Sequence, residues 1–216
     1  GAKYTFHDIL ANNSLLDVSF LEGVMLEHPS GVKVIAAPSQ EQPAPDSSHL
    51  HALKSILGIL KQNYQYVVVD ASHLEPALLQ YILSESDIVF LVGSPDVVSL
   101  KGLLIFINKL RSSHYDTAKV KVVINRDHSK NQIDSKEFEK MAKFPISYRL
   151  PNNFQLCIEA VNTGRPIFEL QDKSGLAKMI NDLADAVRGD SPAASNSSTP
   201  VSGGGPLDVL KKGLFR

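Results

Sequence analysis

The sequence predicts an α/β fold, with a mostly parallel β-sheet flanked by helices. Short runs rich in Val and Ile alternate with longer segments whose leucines recur every three or four residues, and this order is typical of repeated strand–helix units. The runs "VVV" at 67–69 and "IVFLV" at 88–92 do not alternate polar with apolar residues. Such runs indicate strands that are covered on both faces, as in parallel sheets.

The individual elements follow from these patterns and from the polar residues between them. Strands are predicted at 32–37, 66–70, 87–93, 119–125 and 146–150. Helices are predicted at 47–62, 75–83, 96–111, 134–142, 153–162 and 174–188. Asp96 precedes the apolar pattern of the third of these helices and is expected to cap its N-terminus.

Composition and charge are those of an ordinary globular protein. Among 216 residues, 43% are apolar and 21% are charged, and the net charge of −1 gives no reason to expect nucleic acid as a partner. Cys157 is the only cysteine, which excludes an internal disulfide and indicates a reducing compartment. No apolar run reaches the roughly 18–20 residues that span a bilayer, and "GAKYTFHDIL" lacks signal-peptide features. A cytoplasmic protein is therefore expected.

The chain is predicted to divide into three parts. Residues 1–188 form the α/β domain, and the Ser-, Gly-, Pro- and Ala-rich residues 189–205 form a linker. Residues 206–216, "PLDVLKKGLFR", form a short basic amphipathic tail. The tail sequence suits contact with an anionic membrane, docking onto a protein, or a frayed terminus. The tail residues expected to make a membrane contact are Leu207, Leu210, Lys211, Lys212, Leu214 and Phe215.

Candidate site residues follow the strands, because ligands of open parallel sheets bind at the carboxyl ends of the strands. Asp70 ends one predicted strand, Asn125 and Arg126 end another, and Pro151 and Asn152 follow a third. Most of them also have a purely structural interpretation: Asp70 caps the following segment, Asn125 adopts a turn conformation, Arg126 is a surface charge, and Pro151 ends a strand. The next helix has two possible starts: "SHLE" at 72–75 forms a helix capping box, or Pro76 lies in the first helical turn.

Common catalytic motifs do not occur in the 216 residues. The patterns G-x-S-x-G, G-x-G-x-x-G, H-E-x-x-H and G-x-x-x-x-G-K-[ST] are all missing. The residues alone therefore indicate a parallel α/β domain with a polar edge.

The segments "YQYVVVDASH" and "KVVINRD" stand in a particular order and spacing with four others over about residues 4–188. Together they resemble the CpaE/TadZ branch of the MinD/ParA P-loop ATPases, which positions pilus and secretion machinery in bacteria. "YQYVVVDASH" resembles the family's Walker B strand, and "KVVINRD" resembles its strand ending in Asn-Arg. The other similar segments are "YTFHDILANNSLLDVSFLEGVMLEHPSGVKVIAAP", "SESDIVFLVGSPDVVSLKGLLIFINKL", "ISYRLPNN" and "CIEAVNTGRPIFEL".

The resemblance implies ATP and magnesium as cofactors and assigns roles by position. Asp70 corresponds to the Walker B aspartate that supports magnesium through water. Asn125 corresponds to the adenine-contacting asparagine, Arg126 and Pro151 line the base pocket, and Asn152 or Asn153 touches the nucleotide edge. The family also implies pilus or secretion assembly proteins as partners, a homodimer, and a peripheral position at the inner membrane or cell pole.

The chain departs from the family in lacking the P-loop, the phosphate-binding loop, and the first strands that precede "KYTFHDIL". Without the backbone N–H groups and lysine of that loop, ATP binding by these 216 residues is expected to be weak or absent. Three functions stay open at this point. They are a CpaE/TadZ-like interaction module with a degenerate or incomplete ATP site, a working ATPase when an upstream P-loop is present, and a small-molecule-binding α/β domain of another family.

Overall fold

A computed structural model describes residues 4–11, 16–37, 45–127 and 135–189. These residues divide into two compact units, 1–86 (unit 1) and 87–216 (unit 2). Most of the predicted linker and the whole predicted tail lie outside the described residues. The single domain predicted over 1–188, the linker and the tail therefore stay predictions.

Unit 1 is mainly helical. Its apolar side chains form two clusters, one around Leu21 and Ile56 and the other around Leu57 and Leu78. Burying these faces is what holds the short helices in place, since short helices are marginal on their own. The elements of unit 1 are α1 (Phe6–Ala11), α2 (Val18–Val24), β1 (Leu26–Glu27), β2 (Lys33–Val34), a 3₁₀ turn (Ser47–His49), α3 (Leu50–Asn63) and α4 (Pro76–Glu85).

Unit 2 holds a parallel sheet of three strands in the order β3–β4–β5. The predicted strands at 87–93, 119–125 and 146–150 are thereby confirmed, and α5 packs on β3 while α9 packs on β5. The elements of unit 2 are β3 (Val89–Gly93), α5 (Val97–Ser112), a 3₁₀ turn (Thr117–Lys119), β4 (Val120–Asp127), α6 (Ser135–Ala142), β5 (Ile146–Pro151), α7 (Phe154–Thr163), α8 (Ile167–Gln171) and α9 (Gly175–Arg188).

The fold class is confirmed as α/β with a parallel sheet flanked by helices. The predicted helices all form, and their ends differ by at most two residues except at 47–62, where Ser47–His49 is a 3₁₀ turn and the α-helix starts at Leu50. The Asp96 carboxylate accepts the Ser99 N–H at 2.8 Å as the predicted cap of α5. Among the described residues, no helix is both long and apolar enough to cross a membrane.

The strand predicted at 66–70 is wrong. These residues form neither helix nor strand, and the side chain of Val68 is 95% exposed. A strand exists only where a neighbouring strand completes its backbone hydrogen bonds, and the described residues supply none beside this segment. The strand predicted at 32–37 is shortened for a similar reason, since only Lys33–Val34 finds a partner, the antiparallel Leu26–Glu27.

Gly93 joins the sheet of unit 2 to α5. A Cβ at this position would lie 2.6 Å from Leu103 Cδ1 and 2.9 Å from Ser99 Oγ, so the side chain of any other residue would overlap both atoms. The Ser99 hydroxyl also accepts the N–H of Ser94 at 2.8 Å. The glycine therefore lets β3 pass directly under the first turns of α5.

Candidate functional site

Four of the five predicted site residues meet at the carboxyl ends of β4 and β5. Asp127 is the register partner of Pro151, and the Asp127 carbonyl accepts the N–H of Asn152 at 2.9 Å. Asn125 and Arg126 directly precede Asp127 in β4. The structure thus brings Asn125, Arg126, Pro151 and Asn152 to one edge of unit 2.

The end of β4 is bulged at Asn125 and Arg126. Between Ile124 and Asp127 the strand advances three residues while β5 advances two, so β4 carries one extra residue. Arg126 takes up this residue with a φ of +58°, a left-handed conformation that is unfavourable for a residue with a Cβ. Strained backbone of this kind is concentrated at functional sites.

The bulge also orients the Asn125 side chain. The Arg126 N–H donates to Asn125 Oδ1 at 2.9 Å, so the amide oxygen is engaged locally. The amide nitrogen is the donor that Asn125 offers to a ligand. Asn125 is half-buried and Arg126 is exposed, which places an amide and a guanidinium at the same strand end.

An ion pair that the sequence analysis did not single out ties the two strands together here. The Arg149 guanidinium lies 3.4 Å from the Asp127 carboxylate, and both side chains are partly shielded from solvent. The sequence feature that could have indicated this ion pair is the arginine in the otherwise mostly apolar segment "ISYRL". The pair helps to fix the ends of β4 and β5, on which the four candidate residues depend.

Helices α7 and α9 begin beside the same strand end. The Asn153 carboxamide caps α7 by accepting the Leu156 N–H at 3.3 Å. A Cβ on Gly175, the first residue of α9, would lie 3.8 Å from Pro151 Cγ. Pro151 is therefore held at a fixed place, close to the start of α9 and three residues before α7.

Asp70 belongs to unit 1 and is exposed. Its Oδ1 accepts hydrogen bonds from the Ser72 hydroxyl at 2.6 Å and from the Ser72 N–H at 3.1 Å. These bonds, from the hydroxyl first, lower the pKa of Asp70 below its ordinary value. The carboxylate is therefore ionised at neutral pH, the state in which an aspartate supports a magnesium ion.

The local turn at Asp70 replaces the capping box suggested by "SHLE". Helix α4 begins at Pro76, and its N-cap position is Glu75, which makes no side-chain capping bond. Ser72 instead bonds back to Asp70. The capping-box interpretation is wrong because proline at the first helical position already suits a helix start, lacking the N–H that would otherwise need a partner.

The candidate metal ligand, Asp70, can hold magnesium only together with oxygen atoms from a bound nucleotide and water. Within the described ranges, no group of three or more His, Cys, Asp or Glu side chains is placed to hold a metal ion. Magnesium is commonly bound through one or two carboxylates plus substrate phosphates and water, so a single aspartate such as Asp70 suits a nucleotide-bound ion. An open hollow of about 430 Å³ elsewhere in unit 1 is lined by other residues, Tyr4, Asp8, Phe20, Gly23 and Val24.

Comparison with known proteins gives matches at the level of structure. No family model matches the chain, and no curated protein matches it. A ParA family ATPase from Chlorobium tepidum TLS aligns over 85% of this chain and 76% of its own, with 20% identity and a TM-score of 0.72. The Aquifex aeolicus MinC:MinD cell division complex aligns over 92% and 75%, with 20% identity and a TM-score of 0.67.

A third similar structure is the septum site-determining protein MinD from Pyrococcus horikoshii OT3, complexed with Mg-ADP. It aligns over 85% of this chain and 73% of its own, with 18% identity and a TM-score of 0.62. Identities at this level establish shared architecture. The chain therefore has the fold of the MinD and ParA ATPases.

Proposed function

We propose that this chain is a CpaE/TadZ-like spatial regulator of pilus or type II/IV secretion assembly. It acts as a protein-interaction module with a degenerate or incomplete ATP site. The observation that carries the proposal is the similarity of its fold to ParA and MinD. The CpaE/TadZ branch rests on the sequence segments described above, such as "KVVINRD" and "YQYVVVDASH".

Nucleotide contacts, where they form, are assigned to the strand ends. Asn125 would contact the base through its amide, with Arg126 and Pro151 lining the pocket and Asn152 at the nucleotide edge. Asp70 would hold magnesium through water. The bulge at Arg126 and the ionised Asp70 carboxylate support these roles. ATP, when bound with magnesium, supplies the phosphoryl chemistry of the family.

The proposed partners are pilus or secretion assembly proteins and a second copy of the chain. A MinD neighbour is itself seen in complex with MinC, which supports a role for protein partners. Residues 206–216 would add a peripheral contact with the inner membrane or cell pole through their leucines, Phe215 and lysines.

A titration of the full chain with a fluorescent ATP analogue, with and without magnesium, tests the interaction-module proposal. Weak or undetectable binding is expected, because the 216 residues contain no P-loop motif. Micromolar, magnesium-dependent binding would refute the incomplete site and favour the second candidate, a working MinD/ParA-type ATPase.

An Asp70→Ala variant separates the two candidates in cells. In cells lacking the gene, the interaction module predicts that the variant restores pilus or secretion assembly as well as the unaltered chain does. The ATPase predicts loss of assembly with normal protein levels. Asp182→Ala is the matched control, since it removes another exposed carboxylate in a different part of the fold. If the unaltered chain restores neither pili nor secretion, the pilus and secretion role is wrong.

A further inference from the structure

The open hollow in unit 1 combines apolar walls with one carboxylate. Its volume is about 430 Å³, and it is lined by Tyr4, Asp8, Phe20, Gly23 and Val24. It is named the α1–α2 hollow. Protein sites for small groups commonly measure about 300 to 1,000 Å³ and set a few polar groups among apolar and aromatic walls. The α1–α2 hollow therefore has the size and the lining of a binding site.

The walls of the hollow rest on the core of unit 1. On α2, Phe20, Gly23 and Val24 are three and four residues apart, so they share one side of the helix. The same helix buries Leu21, which belongs to one apolar cluster with Ile9 of α1. Because this buried cluster fixes both helices, the hollow is preformed, which lowers the entropic cost of binding.

Asp8 gives the hollow a negative charge. Its Oδ2 accepts the Thr5 N–H at 2.7 Å and the Thr5 hydroxyl at 2.8 Å. These bonds, the one from the hydroxyl first, lower the pKa of Asp8 below its ordinary value, so the carboxylate is ionised at neutral pH. A second carboxylate lies close by, since Asp17 accepts the N–H of the lining residue Phe20 at 2.7 Å. The hollow therefore attracts cations.

Gly23 leaves space in the wall of the hollow. It lies in the last turn of α2, where glycine is less favourable than alanine. Within the described part of the chain, a Cβ at this position would meet nothing within 4 Å, so no described neighbour requires a glycine here. The room beside Gly23 is space that an incoming group can fill.

We propose that the α1–α2 hollow receives an arginine side chain of a partner protein. The Asp8 carboxylate attracts the positive charge, and a planar guanidinium also stacks on aromatic rings such as those of Tyr4 and Phe20. The hollow is open to solvent, so it encloses too little of a free small molecule. It admits a side chain that projects from a partner surface, where arginine is a common anchor. This goes beyond the proposed function, because it locates a partner contact in unit 1 that does not depend on the ATP site.

An NMR titration of the isotope-labelled full chain with N-acetyl-arginine amide tests this proposal. The amide signals of Gly23 and Val24 are expected to shift with a dissociation constant on the order of 1 mM. N-acetyl-citrulline amide has nearly the same shape but no charge, and it is expected to bind about fivefold more weakly. Asp8→Asn keeps a side-chain oxygen for the Thr5 donors and is expected to abolish the difference between the two compounds.

Glu27→Gln is the matched control, because it removes an exposed carboxylate of unit 1 that does not line the hollow, and it is expected to keep the preference for arginine. Gly23→Leu fills the hollow and is expected to weaken binding about fivefold or more. Equal binding of the two compounds to the unaltered chain would overturn the proposal, as would a preference that persists in Asp8→Asn or unchanged binding in Gly23→Leu. Agmatine binding about tenfold more tightly than N-acetyl-arginine amide would also overturn it, since that result marks a site for a free small cation.

Discussion

Replacing Gly93 by alanine tests how closely β3 packs on α5. The added Cβ lies 2.6 Å from Leu103 Cδ1 and 2.9 Å from Ser99 Oγ. Leu103 is only 7% exposed and cannot turn away into solvent. Ser99 cannot move without weakening its hydrogen bond to the Ser94 N–H. Overpacking of this kind costs about 1 to 3 kcal/mol, so a loss of about 2 kcal/mol in the free energy of unfolding is expected.

Urea denaturation followed by circular dichroism measures this loss. With a dependence of about 2 kcal/mol per molar urea, the midpoint falls by about 1 M. Gly102→Ala is the matched control, because Gly102 lies within α5 of the same unit and nothing comes within 4 Å of an added Cβ. That change is expected to stabilise by about 0.5 to 1 kcal/mol through helix propensity. If both variants shift the midpoint equally, the close contact at Gly93 does not exist in solution.

Three further predictions concern the backbone at Arg126 and the hydrogen bonds made by Ser72 and Arg111. Arg126→Gly relieves the positive φ of +58° and is expected to stabilise the chain by about 0.5 to 1 kcal/mol, whereas Arg126→Ala keeps the strain and gives no gain in the same denaturation assay. Ser72→Ala removes the hydroxyl donor to Asp70, so the pKa of Asp70 rises towards its ordinary value in a carboxyl NMR titration, and an unchanged pKa would contradict the assigned cause. The Arg111 guanidinium donates to the carbonyls of Ala142 and Lys143 at 2.8 Å each, so Arg111→Ala costs about 2 kcal/mol. Lysine has a single ammonium group in place of the planar guanidinium, so full retention of stability in Arg111→Lys would contradict the paired hydrogen bonds.

The pH dependence of Asp70 has a definite sign. Its folded-state pKa lies below its ordinary value because the Ser72 hydroxyl and N–H bond to the carboxylate. The small stability that these bonds contribute is therefore present above the ordinary aspartate pKa and is lost as the pH falls through the lowered pKa.

The sequence predicted the three strands that find pairing partners in the sheet of unit 2. The apolar runs at 88–92 and 119–125 became β3 and β4 because each supplies the hydrogen bonds that the other needs. The run "VVV" at 67–69 is apolar and rich in β-branched residues like those two runs, yet it forms no strand. Composition indicates that a segment can be a strand, whereas pairing depends on a neighbour that the segment itself does not encode.

The candidate site was predictable to a similar extent. Asn125, Arg126, Pro151 and Asn152 were expected to converge because parallel strands end at one edge, and they do. The bulge at Arg126 was not predictable, because it depends on how far each strand advances against the other. Asp70 does not end a strand, because residues 66–70 form none. Its turn is set instead by the hydrogen bond from the Ser72 hydroxyl.

The exposed segment at 66–69 has a consequence for handling the protein. Val68 is 95% exposed and Val69 is 41% exposed, and no strand covers the backbone of these residues within the described part of the chain. Exposed, uncharged, β-branched segments without a pairing partner favour pairing between molecules. Concentrated solutions are therefore expected to aggregate through this segment first, and a lysine at position 68 is the simplest way to keep the chain dispersed.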